Sequence, residues 1–347
     1  MKEYHPPLGD RSGLRLDFNE NTFACSPKVA EALAAVTRGS LTRYPERAPV
    51  EALAAAKLGL FPAQVLLTNG VDEAIHVLCQ TWLDQSTEIL LPVPTYSMYE
   101  VYASASGAHI KHIPAALNSV GPKDFAFPYD QVLAAITAKT RIIALANPNS
   151  PTGIAMTRDQ ILSIAAAAPH AMVLADEAYF HFFGETVIDQ IGSIPNLVVA
   201  RTFSKAYGLA GLRLGLLAAN EEAMHWMRRV ISPYSVNSLA LTCLPPALED
   251  DEYLNWYVEE VKAARAEFTA FAGTLGLRYW PSHANFVLLD IGPKHREFVR
   301  EMHARGVLLR DRSADPGCDG CVRITIGTRE QMQLSRTALI ESLQAIG

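Results

Sequence analysis

Between about residue 62 and residue 218, short apolar runs recur along the chain, each followed by polar or turn-forming residues. The runs at 65–69 (VLLTN), 88–92 (EILLP), 141–147 (RIIALAN), 172–176 (MVLAD), 197–201 (LVVAR) and 213–219 (RLGLLAA) are mostly continuous rather than alternating. Such runs predict strands buried on both faces. The segments between them, at 71–83, 130–138 and 157–168, carry a helical period. Strands alternating with helices imply an α/β architecture with a mostly parallel sheet. After residue 235 the pattern changes: a long helical stretch near 250–275 precedes NFVLLDI, a helix, GVLLRD, CVRITIG and a closing helix from 329. This predicts an arm over 1–25, a large domain over 26–235 and a smaller α+β domain over 236–347.

Composition narrows the classes of function. At 347 residues, with 49% hydrophobic and 19% charged residues, the chain reads as a globular protein large enough for two domains. A net charge of −6 argues against a nucleic-acid surface. No apolar run approaches a membrane span, and the first residues lack the apolar core of a signal peptide. Five scattered cysteines fit a reducing cytoplasm better than a disulfide framework. The pair Cys318 and Cys321 has no second ligand pair nearby, so it reads as an incidental loop pair and no metal is expected.

In open parallel sheets, ligands collect beyond the carboxyl ends of the strands. There the chain places a coherent set. Asn69-Gly70-Val71-Asp72 turns into a helix whose free N–H groups suit a phosphate. Asp176, Glu177 and Tyr179 follow one strand; Thr202, Ser204 and Lys205 follow the next; NPNSPTG forms a stiff loop after a third. A lysine amine forms a Schiff base with an aldehyde. A carboxylate such as Asp176 keeps a pyridine nitrogen protonated, which makes the ring an electron sink. The hydroxyls of Thr202 and Ser204, with Arg213, complete a phosphate cradle.

Taken in order, TNGVDEAI, PTYSMY, NPNSPTG, VLADEAY, RTFSKAYGLAGLRLG, PYSVN and CVRITIGT resemble the fold-type I pyridoxal-phosphate enzymes, and more narrowly the histidinol-phosphate aminotransferases. The likeness runs from about residue 16 to 330. It implies that Lys205 carries the cofactor and shuttles the proton between substrate Cα and cofactor C4′. It further implies that Asp176 pairs with the ring nitrogen, Tyr179 bonds the ring hydroxyl and Tyr96 stacks on the ring. Val71, Asp72, Thr202, Ser204 and Arg213 would hold the phosphate. Tyr44 would reach the phosphate of a neighbouring subunit, implying a homodimer with shared sites. Arg323 would grip a substrate carboxylate, and Arg310, thirteen residues earlier, the substrate phosphate. Asn285 is a further substrate-side candidate.

Two departures stand out. The asparagine that usually precedes PTG is Ser150, so either Asn149 takes over its contact with the ring hydroxyl or Tyr179 acts alone. Phe23, a substrate-side candidate, stands at the family's aromatic position, often a tyrosine, and has no hydroxyl to offer a substrate phosphate there. The activity implied is transfer of an amino group from histidinol phosphate, or a related small amino donor, to 2-oxoglutarate. An aromatic amino acid aminotransferase or a threonine-phosphate decarboxylase would share the cofactor residues. A cofactor-binding regulator would need an added DNA-binding domain, for which the chain leaves little room.

Overall fold

The computed structural model describes residues 11–117 and 125–347; the first ten residues of the expected arm lie outside the described residues. Its main sheet has seven strands: β1 (Val65–Asn69), β2 (Glu88–Val93), β3 (His109–Pro114), β4 (Thr140–Ala146), β5 (Met172–Asp176), β6 (Leu197–Thr202) and β7 (Leu214–Ala219), in the order β1-β7-β6-β5-β4-β2-β3. The pairs among β2 to β6 are parallel, whereas β7 runs antiparallel to both β1 and β6. Six strands match the apolar runs. The seventh, β3, was not predicted: HIKHIP lies at the sheet edge with four of its six positions exposed, so no apolar run marks it.

Alternation along each strand splits the core into two layers. Leu66, Ile89, Leu91, Ile142, Leu174, Val198 and Leu217 pack on one face, against the buried side of α1 (Gly70–Trp82). Val65, Leu67, Leu90, Ile143, Val173, Val199 and Leu216 pack on the other. This second cluster continues without a break into Tyr257, Phe268, Phe286 and Val322. The helix expected over 130–138 ends at Ala135, because Thr137 and Thr140 close a turn through the Thr140 hydroxyl. Thr157 and Gln160 form a reciprocal cap that starts the next helix at Arg158.

Past residue 235, the helix Ser238–Leu248 runs through Pro245 and Pro246, which had hidden it; burial of Leu241, Leu244 and Leu248 holds it in place. The helix α2 (Asp251–Thr274) follows. A second sheet is antiparallel, with β8 (Arg278–Tyr279), β9 (Phe286–Asp290), β10 (Arg310–Asp311) and β11 (Cys321–Thr325) in the order β8-β9-β11-β10. The run GVLLRD is divided. Val307–Leu308 pairs in parallel with Leu14–Arg15, and only Arg310–Asp311 joins the sheet. Residues 14–19 thereby form a strap along the second sheet, with Thr325 N donating to the Leu16 carbonyl. No helix among the described residues is long and apolar enough to cross a membrane.

Candidate active site

The site lies where β1, β4, β5 and β6 end and β7 begins. At the end of β1, Gly70 opens α1 with φ +76, and a Cβ there would stand 2.6 Å from Arg213 Nη2. Across from it, a Cβ on Gly215 would stand 2.5 Å from the Gly70 carbonyl carbon and 2.7 Å from Val71 N. The two glycines therefore let β7 press against the start of α1 and bring Arg213 over it. The first-turn N–H groups of a helix lack internal partners. Arg213, in left-handed backbone at φ 56, donates to Asp72 at 2.9 Å, and Tyr96 donates its hydroxyl to the same carboxylate at 2.7 Å.

One cavity is lined by Val71, Asp72, Tyr96, Asp176, Tyr179, Thr202, Ser204, Lys205 and Arg213, together with Tyr99 and Ser150. Nine of the eleven expected cofactor residues thus meet in one place. The Lys205 ammonium donates to the Phe18 carbonyl at 3.0 Å. Burial lowers its pKa, with Arg323 and Arg213 acting in the same sense and Tyr179 against it. Asp176 is buried. It accepts the Ala178 N–H at 3.0 Å on one oxygen and the Tyr99 hydroxyl on the other. Burial nevertheless pushes its carboxyl up to about 6. Tyr179 accepts a hydrogen bond from Asn19 Nδ2 at 2.8 Å and packs edge-on against Phe286.

Two expected cofactor residues stand elsewhere. Asn149 does not reach the cavity: its amide is taken up by the Pro94 carbonyl and the Thr152 hydroxyl, both at 2.9 Å. Tyr44 is 78% exposed and stacks on Tyr234 with ring centres 4.4 Å apart.

Of the residues expected to meet substrate, Arg323 is buried, donating to Ser150 Oγ at 3.0 Å and to the Asp17 carbonyl at 2.8 Å. Burial, reinforced by Arg312 and Arg310, lowers its pKa to about 10. Arg310 sits opposite Arg323 in the β10–β11 register, its guanidinium 5.6 Å from the Phe18 ring centre. Arg11 lies over the same ring at 4.3 Å and pairs with Asp17 through two hydrogen bonds. Neither Arg310 nor Arg323 lines the lysine cavity; Arg323 connects to it through Ser150. Asn285 is wholly buried and braces the strap by donating to the Asn19 carbonyl at 3.1 Å. Phe23 does not line the cavity; it is 56% exposed and edge-on to Trp256. Cys318 and Cys321 are buried beside Trp280 and Leu288, and Cys321 belongs to β11 rather than to a loop. No cluster suited to a metal occurs among the described residues.

Tyr99, Asp17, Phe18 and Asn19 were not anticipated. Tyr99 carried a weak signal, three residues after Tyr96 at the start of a helix. Among the strap residues only Asn19, which opens NENTFAC, stood in a stretch that resembles the family.

The profile of the aminotransferase class I and II family matches residues 11–339. The chain belongs to that family. It is 33% identical over 340 residues to the histidinol-phosphate aminotransferase of Geobacillus sp. (strain WCH70), covering 95% of this chain and 90% of that one. A putative histidinol-phosphate aminotransferase from Erwinia carotovora atroseptica superposes with a TM-score of 0.88 at 25% identity, covering 96% and 97% of the two chains. The histidinol-phosphate aminotransferase of Sinorhizobium meliloti, solved with pyridoxal-5′-phosphate, has the same fold at a TM-score of 0.86 and 23% identity, covering 97% and 92%. The fold is that of the fold-type I enzymes, and the cofactor of this aminotransferase is pyridoxal 5′-phosphate. The donor set fits that group: a lysine amine whose pKa burial lowers, a buried carboxylate with no ion-pair partner among the described residues, and an arginine beside a helix N-terminus share one cavity.

Proposed function

We propose that this enzyme transfers the amino group of histidinol phosphate to 2-oxoglutarate, as a step of histidine biosynthesis in the cytoplasm. The observation that carries the reading is the meeting of Lys205, Asp176, Arg213 and the start of α1 in a single cavity. The names of similar curated relatives support the choice of substrate.

When bound, the cofactor supplies an electron sink for the substrate carbanion. The protein does the rest. The first-turn N–H groups of α1, Thr202, Ser204 and Arg213 hold the phosphate. Tyr96 covers the ring and Tyr179 faces its hydroxyl. Asp176, ionised, holds the proton on the ring nitrogen; its raised pKa reflects a buried charge that a cation opposite would satisfy. Lys205, whose pKa burial lowers, would carry the cofactor and then move the proton between substrate Cα and cofactor C4′.

Residues 26–235 form the cofactor-holding part, and 236–347 bring Arg310 and Arg323 to the substrate's anionic end. In the 2-oxo acid half-reaction, Arg323 takes the carboxylate. The exposed pair Tyr44 and Tyr234 is assigned to a homodimer contact through which Tyr44 reaches the partner's phosphate site.

The test is a half-reaction screen of holoenzyme with histidinol phosphate, glutamate, phenylalanine, tyrosine and threonine phosphate, following conversion to the pyridoxamine form. Histidinol phosphate should convert fastest, and Arg310→Ala should lower its kcat/KM by roughly 30-fold while sparing phenylalanine. Equal losses on both substrates would make Arg310 structural and favour an aromatic aminotransferase. Carbon dioxide released from threonine phosphate would favour the decarboxylase.

A further inference from the structure

Three consecutive strap residues touch three site residues: the Asp17 carbonyl meets Arg323, the Phe18 carbonyl meets Lys205, and the Asn19 amide meets Tyr179. Asn19 is the one that acts through its side chain. It is 1% exposed and adopts φ 53, a conformation that asparagine tolerates better than most residues.

Its surroundings fix which end of the amide faces Tyr179. Thr325 is fully buried, so its hydroxyl proton needs an acceptor. The Thr325 oxygen already accepts the Asn19 backbone N–H at 2.9 Å, and its proton finds Asn19 Oδ1 at 3.2 Å. That leaves Asn19 Nδ2 directed at the Tyr179 oxygen, 2.8 Å away. Asn285 holds the Asn19 carbonyl, so the residue is pinned at its backbone nitrogen, carbonyl and side chain. Because the Tyr179 oxygen receives a hydrogen bond from Asn19, its own proton points elsewhere, and Tyr179 lines the lysine cavity.

We propose that Asn19 is a positioning residue that sets the Tyr179 hydroxyl as a donor into the cavity, toward the ring oxygen of the cofactor. The inference rests on the reading of Tyr179 given above. It also accounts for a ring-oxygen contact made without an asparagine before PTG: Ser150 is engaged with Arg323, and Asn149 with Pro94 and Thr152. Since Thr325 lies on β11 with Arg323, the residue that orients the cofactor tyrosine is anchored to the strand that carries the substrate arginine.

The experiment uses resting holoenzyme without substrate and reads two quantities. The first is the pH midpoint of the absorbance change of the Lys205-linked cofactor. The second is the affinity of the cofactor-free protein for pyridoxal phosphate, by fluorescence titration. A hydrogen bond to the ring oxygen stabilises its negative charge, so losing the donor tightens proton binding on the linking nitrogen and raises the midpoint.

Asn19→Gly keeps the left-handed backbone and removes the amide. It should raise the midpoint by about half a pH unit and weaken cofactor binding roughly threefold. Asn19→Asp keeps an acceptor for Thr325 but, when ionised, can donate nothing and draws the Tyr179 proton to itself, so its shift should be larger. On a Tyr179→Phe background, Asn19→Gly should change neither quantity. Shifts that persist on that background would overturn the proposal, since Asn19 would then act through the fold. A midpoint moved by Tyr179→Phe but by neither Asn19 variant would overturn the proposal alone. A midpoint indifferent to Tyr179→Phe would overturn the assignment of Tyr179 and the proposal with it. If Asn19→Asp does not fold, Asn19→Gly decides.

Discussion

Asp176→Asn should stabilise the cofactor-free protein at neutral pH while abolishing its catalysis. In the folded chain burial raises the Asp176 carboxyl from 3.8 to about 6. A raised acid pKa means that the folded state holds the proton more tightly than the unfolded state does. Stability is therefore highest below about pH 4, falls as the pH rises toward 6 and stays lower above it. A rise of about two pH units corresponds to about 3 kcal/mol, since each unit is worth ~1.4 kcal/mol. An asparagine carries no charge and escapes this penalty. It can still accept the Ala178 N–H and turn its amide to the Tyr99 oxygen. In a chain of 347 residues, 3 kcal/mol corresponds to about 4 °C in Tm. The assay is thermal unfolding of both cofactor-free proteins at pH 4 and pH 8. The variant should lead by a few degrees at pH 8 and by little at pH 4. Loading with cofactor should reverse the order, because a protonated ring nitrogen turns the buried charge into a paired one. The same Tm difference at both pH values would refute the reading, because the substitution would then act through packing and not charge.

Tyr99→Phe removes one of the two donors to Asp176, so the acid limb of cofactor binding should move up by about one pH unit, read from affinity against pH. Gly215→Ala drives a methyl into the Gly70–Val71 backbone and should weaken cofactor binding tenfold or more; Gly211→Ala, with nothing within 4 Å, should bind normally in the same titration. Heterodimers of Tyr44→Phe with Lys205→Ala subunits should keep about half the wild-type activity if Tyr44 serves the partner's site, because one of the two sites then carries neither change. Near-complete loss would place Tyr44 in its own subunit's site.

The strands of the main sheet were legible because their two faces are both buried, which writes each one as an unbroken apolar run. β3 was not legible, because an edge strand covered on few positions reads like a loop. The cavity was legible because its members follow strands at one end of the sheet, so strand positions alone bring Asp176, Thr202 and Lys205 together. Tyr99 could have been suspected from its place on the helix after PTY. Asn19 could not: its partners Thr325 and Tyr179 come from distant segments, and no local pattern foretells those contacts. Asn149 was misplaced for a related reason. The choice between it and Ser150 depends on which side chain the loop turns inward, and the Pro94 carbonyl draws Asn149 away.

The strand order has a consequence for synthesis of the chain. β1 stands at the edge of the main sheet, and its partner there is β7, with Asn69 opposite Leu214. Val65–Asn69 therefore leaves the ribosome long before the strand that will receive it. At ordinary elongation rates of about 5–20 residues per second, the delay is roughly seven to thirty seconds. Throughout that interval an apolar strand and the first turn of α1 lack their final neighbour, while β2, β4, β5 and β6 can already pair among themselves. The proposed phosphate cradle draws on both α1 and Arg213, so it is completed only when this late docking occurs. The nascent enzyme thus emerges with an exposed sticky edge suited to chaperone protection, and gains its cofactor grip as one of its last acts of folding.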